Sequence, residues 1–110
     1  MADHMVEALA ALADRIEERK DAGPEVSYTA KLLEEGVEKC AKKLGEESVE
    51  LILAAMSSKA NHVRSEAADV LYHLLVLLQA TGVPLRSVMS ELDARTRYTG
   101  IEEKLSRRQL

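Results

Sequence analysis

Glu66-Ala67-Ala68-Asp69-Val70-Leu71-Tyr72-His73-Leu74-Leu75-Val76-Leu77-Leu78 is the stretch that decides the fold. Its two acids stand three residues apart, so on a helix they share one face and repel each other. Asp69 then opens an almost wholly apolar run, Val70 to Leu78, where a lone charge is costly. Apolar side chains nearly encircle the later half of such a helix. A small domain rarely buries a helix on all sides by itself, so this one is expected to be central or to enter a subunit interface. Its bounds are predicted at about His62 to Thr81, with Asn61 capping the start and Gly82 ending it.

Working outward, Val6, Leu9, Leu12, Ala13 and Ile16 recur at helical spacing within a first helix from about Ala2 to Lys20. Asp21 to Val26 holds Gly23 and Pro24 and is a break. Ser27 caps the next helix, which Gly36 kinks or ends. The pattern resumes at Val37 and runs to about Met56, with Gly45 as a weak point. Pro84 suits the first turn of a further helix to about Arg97, with Leu85, Val88, Met89 and Leu92 as its apolar stripe. Residues 1–97 read as one all-α domain. Residues 98–110 read as a polar tail that is either a short helix or disordered.

Composition agrees with helices. Apolar residues are 46% of the 110, aromatics only 3%, with no Phe or Trp, so Leu, Val, Ala, Ile and Met must build the core. A net charge of −4 argues against sequence-independent nucleic-acid binding. The longest apolar run is too short to span a bilayer and His73 interrupts it. The single Cys40 cannot form an internal disulfide, which fits a reducing cytoplasm, and it reads as a small core residue.

A second acidic group, Glu46, Glu47 and Glu50, lies on the helix before the deciding stretch. At about 100° per residue, Lys39, Lys43, Glu46, Glu47 and Glu50 fall on one face. Val37, Cys40, Ala41, Leu44, Leu51 and Ile52 fall broadly opposite. Taken alone, that face is a solvated row of Lys–Glu pairs. Two acidic groups on neighbouring helices instead suggest a shared cation. Carboxylates without clustered Cys or His suit magnesium or manganese rather than zinc. A di-iron bundle normally uses Glu-x-x-His pairs, and neither acidic group has a His three residues after a Glu. His73 is expected to be a satisfied core residue or a support behind the acids, and His62 an exposed one. No Walker-type glycine loop is present. The Ser27 and Thr29 hydroxyls read as capping groups that can also touch a substrate. With lysines on the adjoining turns, the combination points to phosphoanhydride hydrolysis.

Ser27-Tyr28-Thr29-Ala30-Lys31-Leu32, Lys43-Leu44-Gly45-Glu46-Glu47 with Glu50, and the stretch from Glu66 to Leu78 resemble phosphoribosyl-ATP pyrophosphohydrolase. The likeness runs from about Pro24 to Leu92, and Gly100-Ile101-Glu102-Glu103-Lys104 is similar to many members. Glu-Glu-x-x-Glu followed by Glu-x-x-Asp is shared by a wider group of all-α nucleoside triphosphate pyrophosphohydrolases. Ser-Tyr-Thr-Ala-Lys and Tyr-His-Leu-Leu narrow it.

The resemblance implies an all-α subunit of four to five helices that shares a helical core in a dimer, or in a dimer of dimers. It implies hydrolysis of 1-(5-phosphoribosyl)-ATP to 1-(5-phosphoribosyl)-AMP and pyrophosphate, the second step of histidine biosynthesis. The length leaves no room for a fused cyclohydrolase, so the stand-alone cytoplasmic form is expected. Carried over by motif, Glu47, Glu50, Glu66 and Asp69 would be ligands of Mg2+, or of Mn2+. Glu47 and Glu46 would carry the catalysis, Glu46 as a further ligand or a base orienting water. Lys31, Lys39 and Lys43 would contact phosphate, while Arg95, Lys104 and Arg107 can close over substrate. No nucleic acid or membrane partner is expected. Two other readings stay open: a related enzyme acting on free or damaged nucleotides, and a non-catalytic helical interaction module.

Overall fold

The computed structural model describes residues 2–24 and 27–97; side chains within the first helix are described from residue 7. The described residues form five helices and no strands: α1 (Ala2–Arg19), α2 (Tyr28–Glu35), α3 (Val37–Met56), α4 (Ala60–Thr81) and α5 (Leu85–Thr96). The expected tail, 98–110, lies outside the described residues, as does the side chain of Val6.

Each boundary has a local cause. Ser27 adopts an extended backbone, and its Oγ accepts a hydrogen bond from the Ala30 N–H at 3.2 Å, starting α2 as expected. Gly36 does end α2: its φ of 97° lies where a side chain is strained, and the chain restarts at once as α3. Gly45 is no weak point, because α3 runs through it unbroken. A single glycine costs a helix only about 1 kcal/mol, which nineteen other α3 residues outweigh. Gly82 closes α4 in the left-handed region at φ 75°. Its N–H bonds the Gln79 carbonyl, and the Val83 N–H bonds that of Leu78, the paired closure that satisfies terminal carbonyls. Asn61 is not the cap. The helix begins two residues earlier, at Ala60 after Lys59, with no side-chain cap, and Asn61 Oδ1 instead accepts a bond from Arg64 at 3.0 Å. Pro84 stands just outside α5 as its N-cap residue.

α4 is the central element, packing on α1, α2 and α3. Leu32, Cys40 and Val76 are essentially sealed from solvent, and with Ile16 and Leu75 they form the core. Leu9, Leu12, Ala13, Leu33, Leu77 and Leu78 pack around it. Burying each large aliphatic side chain contributes about 1.5–3 kcal/mol. Cys40 is the small core residue expected, its Sγ donating to the Leu32 carbonyl at 3.3 Å. Burial, and then the charge of Glu35, push its thiol above the ordinary value.

The apolar face assigned to α3 is only partly inside. Cys40 is buried and Leu44 and Leu51 half-buried, but Val37, Ala41 and Ile52 are exposed. Val49, Leu53 and Met56 are exposed as well, so the second half of α3 carries an apolar strip that its own subunit leaves open. α5 buries no residue and touches the other helices sparsely. No single helix among the described residues is long and apolar enough to cross a membrane.

The turn between α3 and α4 positions the acids. Three residues, Ser57–Lys59, join the two helices, which forces them to run antiparallel. In such a hairpin, residues equally far from the turn come level. Glu50 and Glu66 each stand eight residues from Ser58; Glu47 and Asp69 each stand eleven. The i, i+3 spacing on each helix therefore stacks two acids opposite two acids.

Candidate metal centre

Glu47 from α3 and Glu66 and Asp69 from α4 each offer a carboxylate oxygen, and these oxygens lie within 4.8 Å of one another. Glu47 and Glu66 are half-buried and Asp69 is exposed. Partial burial raises the Glu66 carboxyl above its ordinary value, the charges of Asp69, Glu47 and Glu50 push it further, and His62 opposes them. Three like charges at this spacing, none of them ion-paired among the described residues, form a repulsive group that a divalent ion would reverse. The donor set is all oxygen, which fits a hard ion.

The other motif acids take different places. Glu50 is close enough to Glu66 to raise it, and the two line a cleft of about 220 Å³ with Leu53, Ala54, Ser57 and His62. Glu46 is turned to Lys43, its Oε1 3.3 Å from Nζ. That bond, then the nearby Tyr28, raises Lys43 above its usual value. Lys43 is thus the lysine the fold brings to the acids. Lys31 and Lys39 are exposed and make no ion pair among the described residues. Arg95 pairs with Glu91 on its own helix at 3.1 Å. A groove of about 620 Å³ lies between α1, the end of α4 and α5, away from the acids.

His73 is in the core, as expected, but it is not satisfied there. It is buried and its Nδ1 has no partner among the described residues. Burial lowers its pKa, Glu47 works against that shift, and Lys43 adds to it. His62 is exposed, as its place beside a turn suggested. Thr29 does not cap α2. It is buried, and its hydroxyl shares a hydrogen bond with the Tyr72 hydroxyl, tying α2 to α4. Tyr28, Tyr72 and His73 gather at this junction. Sequence reasoning passed over them as a group, although two of the chain's three aromatics sit in the two stretches that carry the family likeness.

The family model described as phosphoribosyl-ATP pyrophosphohydrolase matches residues 9–96. The chain belongs to this family. A phosphoribosyl-ATP pyrophosphatase of Methylobacterium radiotolerans is 56% identical over 100 residues, covering 91% of this chain and 94% of the relative. The enzyme of that name from Paracoccus denitrificans is 56% identical over 97 residues, covering 88% and 90%. Phosphoribosyl-ATP pyrophosphatase 1 of Bradyrhizobium diazoefficiens is 51% identical over 98 residues, covering 89% and 92%. The match to the family model spans all three α3–α4 acids that converge and both glycines that end helices.

Proposed function

We propose that this chain hydrolyses 1-(5-phosphoribosyl)-ATP to 1-(5-phosphoribosyl)-AMP and pyrophosphate, the second step of histidine biosynthesis, in the cytoplasm. Family membership supports the substrate, and one geometric observation supports the chemistry: carboxylates from two antiparallel helices converge within 4.8 Å. Glu47, Glu66 and Asp69, with Glu50 beside Glu66, would hold Mg2+ or Mn2+. When bound, the ion offsets triphosphate charge and lowers the pKa of water.

The remaining residues act on substrate and water. Lys43 holds one carboxylate oxygen of Glu46, the neighbour in sequence of Glu47, and Glu46 would act as the base that orients attacking water. Lys43 would exchange Glu46 for a phosphate oxygen, and the exposed Lys31 and Lys39 would add positive charge for the polyphosphate. Glu46 would take a proton from the water as its oxygen bonds to the α phosphorus and the bond from that phosphorus to the bridging oxygen breaks. The expelled pyrophosphate leaves with that oxygen.

Val49, Ile52, Leu53 and Met56 leave an apolar strip open on α3, and Leu71 on α4 is exposed as well. The strip supports a homodimer, or a dimer of dimers, that covers it with a second copy. Pyrophosphate release from phosphoribosyl-ATP, compared with plain ATP and dUTP, tests the substrate. The account expects strong preference for phosphoribosyl-ATP. Preference for the plain nucleotides would assign the chain to a housekeeping role, and no release from any of them would favour an interaction module.

A further inference from the structure

Tyr28 is a large aromatic ring left 54% exposed in a chain that has only three aromatic residues. A lone exposed tyrosine is ordinary. This one differs in its mount. Ser27 on one side is buried and caps α2 through the Ala30 N–H. Thr29 on the other is buried and bonded to Tyr72 on α4. The backbone that carries the ring is therefore pinned at both neighbours while the ring itself faces out.

A second observation stands behind it. His73 and the Tyr28 ring are arranged in a T, with centroids 6.3 Å apart and planes at 89°. His73 also packs against Tyr72 in a T-shaped arrangement, with centroids 4.9 Å apart. His73 is only 6% exposed, and its Nδ1 has no hydrogen-bond partner among the described residues. Leaving a buried nitrogen unpaired is costly, and a leucine at this helical position would avoid the cost. Packing alone does not account for an imidazole here. The Tyr28 ring is close enough for its hydroxyl to act on the charge of Lys43, whose partner Glu46 is next in sequence to Glu47 of the acid group.

We propose that Tyr28 is the nucleobase contact of this site, stacking on the purine ring of the substrate, and that His73 is the positioning residue that holds the Tyr28 ring in place. The assignment rests on the nucleotide-hydrolase reading above and adds the group that reads the base. A ring fixed in advance loses little freedom when a ligand arrives, and base–aromatic stacking needs no hydrogen-bond code. The carboxylates would hold the triphosphate end, and Tyr28 the other end of the same molecule.

The test uses calorimetry in Mg2+ with two probes, adenosine monophosphate and inorganic pyrophosphate, alongside pyrophosphate release from phosphoribosyl-ATP. Tyr28→Leu should weaken adenosine monophosphate binding roughly ten- to hundred-fold and leave pyrophosphate binding unchanged. Tyr28→Phe keeps the ring and should restore the loss. His73→Leu should weaken adenosine monophosphate in the wild-type background and add nothing to Tyr28→Leu, because it acts through that ring. Equal effects on both probes, no effect of Tyr28→Leu, or no binding of adenosine monophosphate to the wild type would overturn the assignment. A His73→Leu penalty that persists without Tyr28 would return His73 to an ordinary core role. If His73→Leu does not fold, the Tyr28 arm decides alone. A wild type that stacks the nucleotide yet releases no pyrophosphate would sink the hydrolase reading and spare this one.

Discussion

Replacing Glu47 with Gln exchanges one carboxylate oxygen for an amide nitrogen, keeps the shape, and removes one charge from the acid group. The candidate oxygens of Glu47 and Asp69 lie within 4.8 Å. Two like unit charges at that distance repel by about 0.9 kcal/mol in water, and by roughly four times more at the effective dielectric of a protein surface. Asp69 is exposed and Glu47 half-buried, so the lower figure applies, and salt reduces it again. Without metal, Glu47→Gln should therefore melt at or a few degrees above the wild type. Magnesium reverses the order. A ligand at about a hundred times its dissociation constant stabilises the fold by about 2.7 kcal/mol, roughly a 10 °C rise for a domain of this size. The variant should lose most of that rise. Its turnover should fall at least about a hundred-fold, since even a group that only supports a metal ligand is worth 10–100-fold. Melting with and without Mg2+, paired with pyrophosphate release, reads all three effects. A variant that melts well below wild type in the absence of metal would show that the acids are not strained there. One that keeps the full magnesium rise would remove Glu47 from the ligand set.

Glu66 gives a pH dependence. Partial burial and the surrounding acids raise its carboxyl above the ordinary value of 4.5. A raised acid binds its proton more tightly when folded, so its contribution to the metal-free fold is present at low pH and fades as pH climbs through the raised value. Magnesium needs the carboxylate, so calorimetric affinity should rise over the same window; an affinity independent of pH there contradicts the assignment. Met56→Glu places a charge on the open strip of α3, where Met56 is 78% exposed, and should convert a dimeric wild type to monomer in sedimentation. A wild type already monomeric would leave that strip without its partner. Gly82→Ala meets no atom within 4 Å but keeps φ at 75°, so the loss in denaturant melts should be only the backbone strain, roughly 1–2 kcal/mol. A larger loss would mean the added methyl group clashes after all.

The helices were legible because their signals are local. The start of α2 follows from Ser27 and the end of α4 from Gly82, each acting through one or two backbone bonds. The convergence of Glu47, Glu66 and Asp69 was legible too, because a short turn between two i, i+3 pairs leaves one antiparallel arrangement. What the sequence hid depends on neighbours far along the chain. Thr29 looked like a cap because its partner Tyr72 lies 43 residues away. His73 looked satisfied because no pattern reveals which nitrogen lacks a partner. Ile52 looked internal because an apolar strip reads alike whether its cover is the same subunit or another. Glu46 and Glu47 are adjacent, yet Lys43 draws one aside while the other faces α4, a division that only side-chain placement reveals.

Crystals soaked in Mn2+ and measured for anomalous scattering test the metal centre most directly. The account predicts a strong peak bonded to Glu47, Glu66 and Asp69, at about 2.2 Å from their oxygens, and loss of that peak in Asp69→Asn. Manganese bound elsewhere, with those three carboxylates left free, would contradict it.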